Sequence, residues 1–293
     1  MSEATAEHFD VLVVGAGVSG IGAAVHLQQK CPDKSYVIVD SFDTFGGTWV
    51  THTYPGIRSD SDLYTYGYEF KPWTGPPIAT GEEILEYMAE VVDEHDLARH
   101  IRYRHTVTSA EWSSDEQTWT IVADVDGETT CFTCSFLWMC QGYYRHSEGY
   151  TPDWPGMDSY EGEIVHPQTW PDDIDLDGKQ VLVIGSGATA ATLVPAIADD
   201  CAHVTMLQRS PTYFFPAPNV DELAEMLRPL PGVSDELIHD LVRKKKLHDQ
   251  QAVAQLSREA PELVKDELLN MAKEYLPDDF DMETHFSPRY RPW

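Results

Sequence analysis

The sequence predicts an α/β protein built on two strand–turn–helix–strand units with a helical insertion. Three observations carry that expectation. The apolar run Val11-Leu12-Val13-Val14 feeds a glycine turn, Gly15-Ala16-Gly17-Val18-Ser19-Gly20. A second run, Val181-Leu182-Val183-Ile184, feeds Gly185-Ser186-Gly187-Ala188-Thr189-Ala190. The strand after each turn ends in opposite chemistry: Asp40 follows Tyr36-Val37-Ile38-Val39, and Arg209 with Ser210 follows Val204-Thr205-Met206-Leu207. Such units are Rossmann-like dinucleotide folds. An acid at that place suits free ribose hydroxyls, whereas an arginine suits a 2′-phosphate. Two dinucleotides of different kinds on one chain point to redox chemistry.

The first unit runs from about residue 9 to 45, with a helix over Ile21 to Gln29. Gly15 allows its tight turn, Gly17 lets backbone approach a pyrophosphate, and Gly20 lets helix and strand pack closely. The helix N-terminus offers N–H groups and a positive dipole to phosphates. Gly46-Gly47-Thr48-Trp49 follows Asp40. Paired glycines let backbone lie against a flat ligand and Trp49 can line a ring, which favours a flavin dinucleotide here. Trp49 as a plain core residue stays open.

Residues 45–77, rich in Gly, Pro, Tyr and Trp, should be dominated by loops. Gly81 to Asp96 has a helical period in Ile84, Leu85, Met88, Val91 and Val92. Trp119 to Val125 and Thr129 to Trp138 read as a hairpin closed by Asp126-Gly127. A Pro/Gly-rich linker follows over 149–171. The second unit spans about 179–209, and its turn ends in Ala190, which still permits close packing. The guanidinium fork of Arg209 suits a phosphate dianion, so the second nucleotide reads as NADPH. Asp221 to Leu276 is charged and helical, an insertion packed on one face. The expected domains are 1–150 (FAD-binding), 151–175 (linker), 176–220 (NADPH-binding core), and 221–293 (helical insertion and the start of a return to the first domain).

The chain has 293 residues and formal net charge -29, which argues against nucleic acid or an anionic membrane as partner. It shows no basic-then-apolar leader and no apolar run long enough to span a bilayer, so a cytoplasmic protein is expected. Of five cysteines, Cys131 and Cys134 form a C-x-x-C inside a strand-like run, which reads as structural thiols. No metal site is expected.

Tyr160-x-Gly162-x-x-x-His166-x-x-x-Trp170-Pro171, lying between two glycine turns, resembles the linker fingerprint of Baeyer–Villiger monooxygenases and their flavin-containing relatives, with Tyr160 in place of Phe. Gly46 to Trp49, Tyr54-Pro55-Gly56-Ile57-Arg58-Ser59-Asp60-Ser61-Asp62 and His166-Pro167-Gln168-Thr169-Trp170-Pro171 share that resemblance. It is strongest toward the mycobacterial branch that activates thioamides.

The resemblance implies FAD and NADPH as cofactors, O2 as co-substrate, and a ketone or sulfide oxygenated through a flavin C4a-peroxide. It also implies site residues. Asp60, Arg58 and His166 form the catalytic set, with His166 coupling cofactor movement to chemistry. Asp60 matches an aspartate that holds an arginine opposite the flavin. Arg58 and Ser59 match positions at the nicotinamide half of NADP. Ser19, Val107 and Tyr66 match cofactor-binding positions, joining Gly15, Gly17, Gly20, Asp40, Gly47, Thr48 and Trp49, and Gly185, Ser186, Gly187, Ala188, Thr189, Arg209 and Ser210.

Members of that family are longer. The resemblance places their last flavin-domain strands and the peroxide-stabilising arginine beyond Trp293, with Arg289 and Arg291 preceding that position. The expectation is a chain that is unstable alone or binds FAD weakly. Two other readings stay open: a disulfide-reductase-type oxidoreductase, and a non-catalytic nucleotide-binding fragment.

Overall fold

The computed structural model describes residues 6–292, so Trp293 lies outside the described residues. In chain order the first elements are β1 (Glu7–Val14), α1 (Val18–Lys30), β2 (Tyr36–Val39), α2 (Thr48–Thr51), α3 (Leu63–Tyr66), α4 (Gly81–Glu94), β3 (Ile101–Arg102), β4 (Thr106–Ser113), β5 (Thr118–Val125) and β6 (Glu128–Met139). There follow β7 (Gln180–Ile184), α5 (Ala188–Ile197), β8 (His203–Leu207), α6 (Glu222–Leu227), α7 (Asp235–Glu259), α8 (Pro261–Lys273) and α9 (Met282–Phe286).

The chain forms two compact units, residues 1–53 with 81–170, and residues 54–80 with 171–293. The first holds a six-stranded sheet in the order β3-β2-β1-β6-β5-β4. Strands β3, β2, β1 and β6 run parallel, and β6, β5 and β4 form an antiparallel meander. Strand β6 is long enough to serve both halves. Its core gathers Leu12, Val37, Val39, Ile121, Phe132 and Cys134. The β5–β6 turn has Asp126 at φ 53° and Gly127 at φ 89°. Two consecutive left-handed residues match the twist of a tight hairpin, which is why Asp-Gly closes it.

In the second unit, β7 and β8 pair parallel in a two-stranded sheet beside α5. The helical stretch breaks where α7 ends at Glu259 and Pro261 opens α8. Proline cannot continue a helix but fits its first turn.

Segment 45–77 is dominated by loops, as expected, with α2 and α3 as single helical turns. One feature differs from the sequence expectation. Segment 54–80, assigned from sequence to the first domain, groups with residues 171–293. Directional bonds explain this: the Asn219 side chain pairs with both the N–H and the carbonyl of Ile78 (2.7 and 2.8 Å), and His239 Nδ1 accepts from the Trp73 N–H at 3.0 Å.

Candidate functional site

The first glycine turn is built by collisions that a side chain would cause. Gly15 has φ 106°, and a Cβ there would lie 2.5 Å from the Cys140 carbonyl oxygen. A Cβ on Gly20 would run into the Gly15 carbonyl oxygen. Gly17 and Gly47 face each other, a Cβ on Gly47 lying 3.1 Å from the Gly17 Cα. The Gly46 N–H donates to the Ala16 carbonyl at 3.1 Å. The structure thus brings the two glycine motifs of the first unit together. They bring bare backbone together at the start of α1, where no side chain caps the helix.

Asp40 is buried at the end of β2. Its Oδ2 accepts the Ala16 N–H at 2.6 Å and its Oδ1 the Phe42 N–H at 2.9 Å. Each carboxylate oxygen offers two lone pairs, so both keep one acceptor direction. Ser19 is exposed, Thr48 and Trp49 are half-buried on α2, and Val107 sits half-buried in β4 beside a bulge. Backbone without side chains, an anion-favouring helix start and an acid with spare acceptor capacity fit a dinucleotide carrying free ribose hydroxyls.

The second turn has the same path with more room. Gly185 has φ 129°, yet a Cβ on it or on Gly187 would meet nothing within 4 Å. No side chain caps α5. Ala188 is exposed, and Ser186 and Thr189 are half-buried. Arg209 and Ser210 are exposed just past β8. An exposed guanidinium at that place fits a phosphorylated ribose.

The segment carrying Arg58, Ser59 and Asp60 starts on α5. Gly56 packs against Ala196, and the Tyr54 hydroxyl bonds Thr189. Ser59 is buried, and Arg58 and Asp60 are exposed. The Ser61 hydroxyl donates to Asp60 Oδ1 at 3.3 Å. The second unit therefore holds Arg58 to Asp60 together with the second turn. Tyr66 ends α3 in the same segment.

His166 belongs to the first unit. Its Nδ1 accepts the Gln168 N–H at 3.1 Å and caps a 3-10 turn over Pro167–Thr169. An accepting Nδ1 leaves the ring proton on Nε2. Any side chain on Gly149 would strike the ring. Gln168, buried, donates to the Arg145 carbonyl at 2.6 Å. These contacts order the linker.

Cys131 and Cys134, three apart on a strand, point to opposite faces. Burial raises the pKa of Cys134 and disfavours its thiolate. That environment opposes a redox-active cysteine pair.

Sequence reasoning missed a basic stripe on α7. His239, Arg243 and Lys246 recur at helical spacing among the buried Ile238 and Val242. Burial, with the Arg243 charge second, lowers the His239 pKa and keeps the ring neutral. Burial disfavours the Lys246 charge, but bonds to Asp62 and Asp221 outweigh it, so its pKa is raised. Cations on the inward face of an amphipathic helix were the available signal.

Residues 68–217 match the flavin-binding monooxygenase-like family, and residues 13–75 match an NAD(P)-binding Rossmann-like domain. The chain belongs to the flavin-binding monooxygenase-like family. It is 49% identical to the FAD-containing monooxygenase EthA of Mycolicibacterium smegmatis over 289 residues, covering 98% of this chain and 58% of that protein. It is similar in structure to cyclohexanone monooxygenase from Rhodococcus sp. Phi1 bound to NADP+, with TM-score 0.63 and 32% identity over 85% of this chain and 45% of that one. It is also similar to OTEMO in complex with FAD and NADP, with TM-score 0.62 and 28% identity over 88% and 46%. The chain thus spans 58% of the length of its curated relative. Among the described residues no helix is long and apolar enough to cross a membrane.

Proposed function

We propose that this chain carries the cofactor-binding machinery of an NADPH- and FAD-dependent monooxygenase. Its reaction places one atom of O2 beside the carbonyl of a ketone, giving an ester or lactone, or on the sulfur of a sulfide. One observation carries this reading: in a chain of this family, two glycine turns stand before a buried acid, Asp40, and an exposed base, Arg209.

FAD belongs to the first turn. Gly15, Gly17, Ser19 and Gly20 hold its pyrophosphate against the α1 start. Asp40 accepts its ribose hydroxyls, and Gly47, Thr48, Trp49 and Val107 complete the set. NADPH belongs to the second turn, with Gly185, Ser186, Gly187, Ala188 and Thr189 at the pyrophosphate. Arg209 and Ser210 bind the 2′-phosphate. Arg58 and Ser59 serve the nicotinamide half, and Asp60 holds the arginine that the family places opposite the flavin. His166 orders the linker. Bound FAD, reduced by NADPH, supplies the chemistry with O2.

The test is turnover of a cyclic ketone and of an aryl sulfide with NADPH under isotope-labelled O2. One labelled oxygen atom in the product is expected. NADPH oxidation that yields only peroxide would reject the monooxygenase reading. Thiol–disulfide turnover would support a reductase instead.

A further inference from the structure

The segment that carries Arg58, Ser59 and Asp60 is a closed loop gripped from one side. Its ends meet: Arg58 and Thr80 form an antiparallel bridge, and the Ser59 N–H donates to the Ala79 carbonyl at 2.8 Å. The Leu63 N–H donates to the Pro77 carbonyl, also at 2.8 Å. Between these ties α3 forms one turn whose N-terminal cap is Asp62, which accepts the Tyr64 N–H at 2.9 Å.

The basic stripe of α7 holds both ends of that turn. Residues 239, 243 and 246 share one helix face, being four and three apart. Lys246 Nζ lies 2.6 Å from Asp62 Oδ2 and 3.0 Å from Asp221 Oδ2. Asp221 in turn caps α6. Arg243 Nη1 reaches the carbonyls of Tyr64, Thr65 and Gly67 at 2.8, 3.0 and 3.1 Å. These are the carbonyls a helix end leaves without partners. His239 Nδ1 takes the Trp73 N–H at 3.0 Å, and Arg228 Nη2 donates to the Thr74 carbonyl at 2.9 Å.

Such bonds fix register more than they add stability. Taking Lys246 and its carboxylates out of water offsets most of their attraction. An apolar contact would hold the loop but let it slide, whereas carbonyls and carboxylates accept only along set directions.

We propose that His239, Arg243 and Lys246 form a latch that positions the loop, and that Arg243 is a positioning residue for NADPH binding through Arg58 and Ser59. The positioning role rests on the assignment of those two residues to NADPH made above. The latch itself rests only on the bonds.

The test compares Arg243→Met, Arg243→Lys and wild-type protein by amide hydrogen exchange and by NADPH titration. Arg243→Met should speed exchange over residues 59–79 by roughly tenfold or more while α5 is unchanged. It should weaken NADPH by roughly tenfold. Arg243→Lys should fall between, because an ammonium can satisfy part of the carbonyl set. Unchanged exchange over 59–79, or a rise shared equally by α5, overturns the latch. A loosened loop with unchanged NADPH affinity overturns the positioning role. Wild-type protein that binds no NADPH overturns the cofactor assignment and the positioning role with it. Should Arg243→Met fail to fold, Asn219→Ala releases Ile78 from an exposed position. It should speed exchange at the same loop, and no change there overturns the grip.

Discussion

The two glycine-turn units share a chain path and differ in what surrounds them. In the first, β1 has strands on both sides, and Leu12 and Val13 are 0% exposed. In the second, β7 pairs with β8 alone among the described residues, and Leu182, Ile184 and Leu207 are 55%, 54% and 52% exposed. The turns differ in the same sense. Gly15 and Gly20 are packed against backbone, whereas Gly185 and Gly187 have open space. A nucleotide turn is encoded within some thirty residues, but the layers that cover it come from elsewhere in the chain.

The largest test of that contrast is one methyl group. Gly20→Ala drives a Cβ into the Gly15 carbonyl, and backbone cannot step aside as a side chain can. We expect a loss above about 4 kcal/mol, enough to unfold the first unit. The matching position of the second turn already carries Ala190. Gly187→Ala should change stability by less than about 1 kcal/mol, since Gly187 has an ordinary φ of -82° at the α5 N-cap and a Cβ there would meet nothing within 4 Å. Urea unfolding of both variants decides, and equal losses would erase the contrast.

Truncating equivalent leucines comes next. Leu12→Ala should cost about 3 kcal/mol, and Leu182→Ala less than about 1 kcal/mol. Similar values would mean that the open face of β7 is covered in solution.

Arg209→Ala probes the chemical half of the comparison. It should weaken NADPH by about 2 kcal/mol and leave NADH and FAD unchanged. Equal weakening of NADPH and NADH would remove the 2′-phosphate from Arg209.

Both turns, their strands, the β5–β6 hairpin and the helix of residues 81–94 were legible because each is a local pattern. Glycines, apolar runs and Asp126-Gly127 specify geometry within a few residues. The place of segment 54–80 was not legible. It depends on pairs such as Arg243 with Tyr64 and Asn219 with Ile78, far apart in sequence and carrying no periodic signal. His166 was legible as a residue of the linker fingerprint, but its bond to the Gln168 N–H needed the three-dimensional turn.

The smallest expected effect concerns how each unit ties down the start of its first strand. Asp10 in β1 accepts the Ser35 N–H and hydroxyl, both at 2.8 Å, and lies 3.0 Å from Lys34 Nζ. Those bonds, the Ser35 N–H first, lower its pKa from 3.8 to about 2. The comparable carboxylate before β7, Asp175, bonds only within its own loop, to the Asp177 N–H and to Lys179. A carboxylate with a lowered folded pKa binds its proton less readily in the folded state. Its stabilisation is complete above 3.8 and is lost as pH falls through about 2. Asp10→Asn should therefore lower the urea midpoint at neutral pH and show a shallower fall than wild type between about pH 4 and 2. Asp10 is only half-buried and Lys34 is exposed, so salt should shrink the difference. Asp175→Asn should leave the midpoint near wild type, because no second strand is joined through it. Parallel acid profiles for wild type and Asp10→Asn would show that the tie between β1 and the start of β2 contributes nothing.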